Sequence, residues 1–212
     1  MSAGAALPLA DVPDARRRHV CDPGLVPLAG PPAAWPGWAP TAPGCARALA
    51  GLAHAAYHHR ATAEAWAADQ GWHLARRIER GGVRCDLVTA PGAWCLVFCG
   101  TRGSEPRNLA HDADAVLDRH SGPGRVHRGF RAAFASVRPT LAALLATAPA
   151  GRLMATGHSL GAALALLAAS AWPRLCAVGF GCPRVGDAVF VRGLAGRAWR
   201  YQQGVDLVGH LP

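Results

Sequence analysis

Five consecutive residues, Gly157-His158-Ser159-Leu160-Gly161, carry the sharpest chemical signal in this chain of 212 residues. They stand between an apolar run, Arg152 to Thr156, and an alanine- and leucine-rich run, Leu160 to Ala171, which patterning predicts as a strand and a helix. A serine on so abrupt a strand-to-helix turn needs small residues two before and two after it, because side chains there would collide. The turn lifts Ser159 Oγ clear of the sheet and over the helix N-terminus, whose unpaired N–H groups stabilise an oxyanion. This is the equipment of acyl transfer by a serine nucleophile. A glycine-flanked turn with an incidental serine is the competing reading, and the strand before and helix after weigh against it.

Acyl transfer also needs amide donors for the developing oxyanion. The backbone N–H of Leu160, directly after the serine, is one. A second must come from another strand end, and Phe98-Cys99-Gly100-Thr101 offers it. Gly100 lets the backbone approach closely, and Thr101 brings a backbone N–H and a hydroxyl. Taken alone, Gly-Thr after a strand is equally well a plain turn.

The elements that must position these residues follow from periodicity and breakers. Residues 1–44 are dense in proline and read as an extended arm, and residues 45–212 as one folded domain. Ala46 to Ala68 is alanine-rich and proline-free and predicts one helix. Two apolar runs, Arg84 to Thr89 and Trp94 to Cys99, flank Ala90-Pro91-Gly92-Ala93 as an adjacent strand pair. Gly103 to Gly124 reads as loop with a short helix over Asn108 to Leu117. A helix over Gly129 to Ala146 carries Pro139, a candidate kink. After Arg152 to Thr156 and Leu160 to Ala171 come a strand (Leu175 to Phe180), a helix (Ala188 to Leu194) and a last strand (Arg197 to Gln202). The alternation from Trp94 onward predicts an α/β fold with a mainly parallel sheet and helices on both faces. In such sheets chemistry belongs at the carboxyl ends of strands, in the loops after Cys99, Thr156, Phe180 and Gln202.

Composition excludes several classes of function. With 51% hydrophobic and 17% charged residues the chain can bury a large core, which excludes global disorder. No apolar stretch reaches the roughly 18 residues that span a bilayer. The net charge is +9 and all 22 basic side chains are arginine, scattered singly or in pairs apart from Arg16, Arg17 and Arg18. Without a basic stripe interleaved with aromatics, no nucleic-acid partner is expected, and GC-rich codons account for the arginine usage; weak attraction to acidic surfaces is left open. The seven cysteines form no Cys-x-x-Cys pair, so no metal is expected, and no cofactor is called for. Cys85, Cys95, Cys99 and Cys176 sit in apolar runs as reduced core thiols. The N-terminus lacks the pattern of a secretory signal, which makes a cytoplasmic location the default expectation. Nothing in the sequence speaks to oligomeric state.

Five segments, taken in order, carry a family resemblance: Phe98-Cys99-Gly100-Thr101, Val126-His127-Arg128-Gly129-Phe130, Gly157-His158-Ser159-Leu160-Gly161-Ala162-Ala163-Leu164-Ala165, Gly179-Phe180-Gly181-Cys182-Pro183-Arg184-Val185-Gly186, and Asp206-Leu207-Val208-Gly209-His210-Leu211-Pro212. Over roughly residues 80–212 the chain resembles the class 3 lipases, the fungal-lipase-like branch of the α/β-hydrolases. The resemblance implies an α/β-hydrolase-like fold and hydrolysis of carboxylic esters, acylglycerols or short-chain esters, through a covalent acyl-serine. It implies Ser159 as nucleophile, Asp206 as the triad acid that orients the histidine, and Thr101 and Leu160 as oxyanion donors. Arg102 to Asp118 resembles the family's lid, with contact to a lipid interface. His127 and His158 match positions that pack and hydrogen-bond rather than catalyse.

Two departures stand out. Cys99 occupies a position where the family has arginine. The family's catalytic histidine lies downstream of the Asp-x-Val-x-x-x-Pro segment, and no residue of this sequence matches it. His210, four residues past Asp206, is the local substitute, with geometry against it. A proline directly after the motif suggests truncation of an ancestral chain. The alternative expectation is therefore a catalytically inactive lipase-like protein or fragment, acting as a binding module.

Overall fold

The computed structural model describes residues 43–101 and 116–202. In chain order its elements are α1 (Pro43–Ala55), α2 (Arg60–Asp69), β1 (His73–Arg80), β2 (Val83–Ala90), β3 (Ala93–Phe98), β4 (Leu117–Arg119), β5 (Arg125–His127), α3 (Arg128–Ala146), β6 (Arg152–His158), α4 (Leu160–Ala171), β7 (Leu175–Phe180), α5 (Ala188–Gly193) and β8 (Ala198–Tyr201). The predicted helix over Asn108 to Leu117 lies outside the described residues up to position 115. Leu117 itself opens β4, which pairs antiparallel with β5.

Glycine chemistry starts the sheet. Gly81 and Gly82, both at positive φ (55° and 77°), make the two-residue turn between β1 and β2, and Pro91-Gly92, with Gly92 at φ 71°, makes the next. β1 escapes a sequence reading because only Leu74 and Ile78 of its eight residues are buried. From β3 onward each added strand is parallel, giving the order β1-β2-β3-β6-β7-β8 in a mixed, mostly parallel six-stranded sheet.

Alternation along the strands builds two cores, one on each face. Leu96 and Phe98 of β3, Leu153 and Ala155 of β6, and Leu175 and Ala177 of β7 face α3, α4 and α5. Cys95, Val97, Met154 and Val178 face α1 and α2. Helix α4 is buried from Gly161 through Ala169, as a helix apolar on every side must be. Its small residues let it press on the sheet: a Cβ on Gly179 of β7 would lie 2.9 Å from Ala162 Cβ.

The single helix expected over Ala46 to Ala68 is two helices. The carbonyls that would continue the first are taken by arginines: Arg84 donates to the Ala56 and His58 carbonyls (3.3 and 3.2 Å), and Arg77 to that of His58 (3.0 Å). Arg77 is itself locked by a two-point bond to Asp86, 2.7 Å on each oxygen, with side chains only 8% and 3% exposed. Tertiary bonds from β1 and β2 thus override a sequence with good helix propensity, and they fix the turn that carries Tyr57.

Candidate active site

Strand β6 ends and α4 begins on Ser159, whose φ of 55° and ψ of −122° make it the one non-glycine residue at positive φ among those described. Such a conformation costs about 1–3 kcal/mol and persists only where the surroundings over-determine it. Here they do. The Ser159 amide donates to the Phe180 carbonyl at the end of β7 (3.0 Å), and its own carbonyl accepts the Ala162 and Ala163 amides (2.9 and 3.2 Å).

The flanking glycines are required by contact rather than by flexibility. A Cβ on Gly157 would stand 2.6 Å from the Gly161 carbonyl oxygen and 2.7 Å from that of Phe98, and a Cβ on Gly161 would overlap the Phe98 carbonyl. The end of β3 therefore crosses directly against the turn. This crossing carries the Gly100-Thr101 backbone to the start of α4, where the Leu160 N–H, in the first turn, has no acceptor within the helix. Ser159, Leu160 and the Gly100-Thr101 segment are gathered at the carboxyl edge of the sheet, and Ser159, Leu160 and Thr101 are all half-buried. Asp206 and His210 lie outside the described residues, as does the lid-like stretch up to position 115.

The site holds one group that sequence reasoning missed. The Tyr57 hydroxyl fills the space where a Gly100 side chain would be, and it lies 3.2 Å from His158 Nδ1. The only available signal was an aromatic hydroxyl ahead of two histidines in an alanine-rich run. His158 does pack and hydrogen-bond, as its position implied. Behind Tyr57, His54 and His58 approach through their Nε2 atoms (3.2 Å). Burial first, then repulsion from His58 and His158, pushes the His54 pKa down to about 4.

The sequence from residue 95 to 212 matches the family described as Lipase (class 3). The chain belongs to the class 3 lipase family. Among solved structures it is similar to a lipase from Rhizopus microsporus var. chinensis, with a TM-score of 0.64 and 22% identity over 77% of this chain and 67% of that one. A triacylglycerol lipase whose catalytic centre is a serine protease triad gives 0.60 and 23%, over 76% and 71%. The Rhizomucor miehei lipase propeptide complex gives 0.57 and 26%, over 69% of this chain and 54% of that one. These likenesses establish the α/β-hydrolase-type architecture. No curated protein matches the chain.

In this class 3 lipase chain His127 packs as its position implied. It is 1% exposed and lies 5.0 Å from Phe130 between ring centres, and among the described residues neither ring nitrogen has a hydrogen-bond partner. Cys85, Cys95 and Cys99 are buried, as expected of core thiols, whereas Cys176 is only half-buried. Cys182, in the loop after β7, is also buried, which pushes its thiol up to about 12 against the opposing influence of Arg200.

Proposed function

We propose that this class 3 lipase hydrolyses carboxylic esters through Ser159, on acylglycerols or short-chain esters. The observation that carries the reading is the strained Ser159 backbone at the strand-to-helix turn, pinned by Gly157, Gly161 and the Phe180 carbonyl. Strain of this kind has no packing purpose at a half-buried serine, and it aims Oγ and the α4 N-terminus at the same point.

In the proposed reaction Ser159 Oγ attacks the acyl carbon as an imidazole accepts its proton. The amides of Leu160 and Thr101 hold the oxyanion, each donor being worth about 2.7–4 kcal/mol in such sites. Collapse expels the alcohol, which takes the proton from the imidazole and leaves acyl-Ser159. Water then attacks the acyl carbon, gives its proton to the imidazole, and the acid leaves as Ser159 recovers its hydrogen. Asp206 orients the imidazole. His158, beside Ser159, has its Nδ1 on Tyr57, so His210 is the first histidine to test as the base. The similarity to a triacylglycerol lipase built on a serine protease triad supports the same chemistry.

The deciding experiment uses p-nitrophenyl esters and a fluorophosphonate probe. Hydrolysis and labelling, both lost in Ser159→Ala, are expected; a folded protein that neither turns over ester nor carries label on Ser159 rejects the proposal. The second reading is a lipase-like binding module without turnover. Ester binding without turnover or label is its signature.

A further inference from the structure

Imidazoles gather where α1 ends. His54 lies in its last turn, His58 in the bend that follows, and His158 at the end of β6, directly before Ser159. His54 and His58 point their Nε2 atoms at each other across 3.2 Å, with the rings edge to face at 4.9 Å between centres. Two nitrogens so placed share a single proton, because a further one sets N–H against N–H. The other nitrogen of His54, Nδ1, is buried and has no hydrogen-bond partner among the described residues. A charged His54 would therefore carry an N–H with no acceptor there, and burying a charge without its partners is costly.

The elements packed around the pair bring further cations. Arg77 of β1 and Arg84 of β2 both donate to the His58 carbonyl (3.0 and 3.2 Å), and Arg84 also to that of Ala56 (3.3 Å). The carbonyls at this helix end, which would favour a cation, thus already face guanidinium groups. Asp86 and Glu79 are engaged by the same arginines, Asp86 by Arg77 and Glu79 by Arg84. From β6 comes His158, close enough to oppose a charge on His54. The thiols that β3 turns to this face, Cys95 and Cys99, bring no charge in acid. On α2, Arg60 and Glu64 form an exposed pair of their own behind the exposed His59, and Arg47 is exposed two turns earlier on α1.

The same cluster reaches the serine turn. Tyr57, in the bend between the α1 histidines, places its hydroxyl 3.2 Å from His158 Nδ1, and that hydroxyl fills the space a side chain at Gly100 would need. Ser159, the next residue after His158, is held through its amide by the Phe180 carbonyl (3.0 Å). The bend itself is closed by short-range bonds, from the Tyr57 and His58 amides to the His54 and Ala55 carbonyls (3.1 and 3.0 Å). A segment with so few local bonds opens at lower cost than the buried sheet and helix beneath it.

We propose that His54, His58 and His158 form an acid-operated latch, which holds the bend after α1 and, through Tyr57, the serine turn closed at neutral pH and releases both in acid before the domain unfolds. The latch stands apart from the ester-hydrolase reading, since the backbone reports it whether or not the chain turns over ester. Burial first, then repulsion from His58 and His158, lowers the His54 pKa from 6.5 to about 4. Between those values the released bend binds a proton that the closed one excludes. The closed form is therefore favoured in full above about pH 6.5 and loses ground as pH falls toward 4.

The test is backbone amide hydrogen exchange of the full chain, followed by mass spectrometry from about pH 7.5 to 4 and expressed as protection against the unstructured rate at each pH. With one proton excluded, protection of the Tyr57 and His58 amides should fall about tenfold per pH unit below about 6.5, and that of the Ser159 amide should follow it. Amides inside α4, buried from Gly161 through Ala169, should keep their protection over the same range. His54→Gln with His58→Gln should reduce the fall at the bend to less than about threefold in all, because no group there takes up the proton. The single His54→Gln, a milder change, should flatten it as well. His59→Gln makes the same replacement at the exposed neighbour and should leave the native slope. Tyr57→Phe should keep the slope at the bend and remove it at Ser159. Protection at the bend that does not change with pH, an unaltered slope in both His54 variants, or a Ser159 slope that survives Tyr57→Phe overturns the latch. Loss of α4 protection in step with the bend overturns it too, since the acid effect is then global unfolding.

Discussion

The Tyr57 hydroxyl lies 3.2 Å from His158 Nδ1, linking residues 101 positions apart at the back of the serine turn. The same hydroxyl fills the space that a side chain at Gly100 would need, next to Thr101. Tyr57 is therefore a positioning residue for the segment that carries the proposed oxyanion donor Thr101. Tyr57→Phe removes the hydroxyl and keeps the ring. A neutral hydrogen bond contributes about 0.5–1.5 kcal/mol, so kcat should fall roughly three- to tenfold with little change in KM. Steady-state kinetics on a soluble ester, beside a melting curve, check this; a KM effect with unchanged kcat assigns the tyrosine to substrate binding instead.

The strain at Ser159 predicts a conflict between stability and activity. Ser159→Gly should stabilise the fold by about 1–3 kcal/mol, because glycine adopts positive φ without penalty, and should abolish fluorophosphonate labelling. Gly161→Ala should act in the opposite direction, since its Cβ would strike backbone rather than a side chain that can rotate away. Overpacking of this kind costs about 1–3 kcal/mol, and urea denaturation of the two variants measures both signs.

How much of this was legible beforehand divides along physical lines. Ser159, its glycines and the flanking strand and helix are local, with period, breakers and volume all written within twenty residues, and the structure returns Leu160–Ala171 and Leu175–Phe180 with the expected ends. Tyr57 and the break after α1 are not local. They depend on Arg77 and Arg84, from a hairpin whose first strand shows only two buried positions. No window of sequence contains both halves of that relationship. His127 is an intermediate case: its packing follows from its apolar neighbours, but that its nitrogens find no partner among the described residues is a property of the assembled core.

The clamp behind Tyr57 is the next target. Asp86→Ala leaves the Arg77 guanidinium buried without its counter-charge, and breaking a buried pair this way costs about 3–5 kcal/mol. Replacing both partners, Arg77→Leu with Asp86→Leu, should recover much of that stability while still freeing the His58 carbonyl from Arg77. Ester turnover should then remain depressed although the melting temperature recovers. Recovery of both rates and melting would mean that the clamp serves folding alone.

Acid should loosen the same region. The His54 pKa falls from 6.5 to about 4 in the folded chain, with burial the largest cause, so between those values the unfolded chain binds the proton and the folded chain does not. Stability therefore carries no contribution from His54 above about pH 6.5, declines as pH falls through the window, and has lost the full amount below about pH 4. A shift of this size corresponds to on the order of 3 kcal/mol. His54→Gln removes the titrating group while keeping a side chain that can hydrogen-bond to His58 Nε2. Urea midpoints at pH 7.5, 5.5 and 4 should converge toward the acid end for the variant and the native chain if other losses are shared, because the variant starts lower and loses less. Parallel pH slopes in the two proteins would show that His54 is exposed to protons in the folded state and that the His54–His58 contact is not maintained in solution.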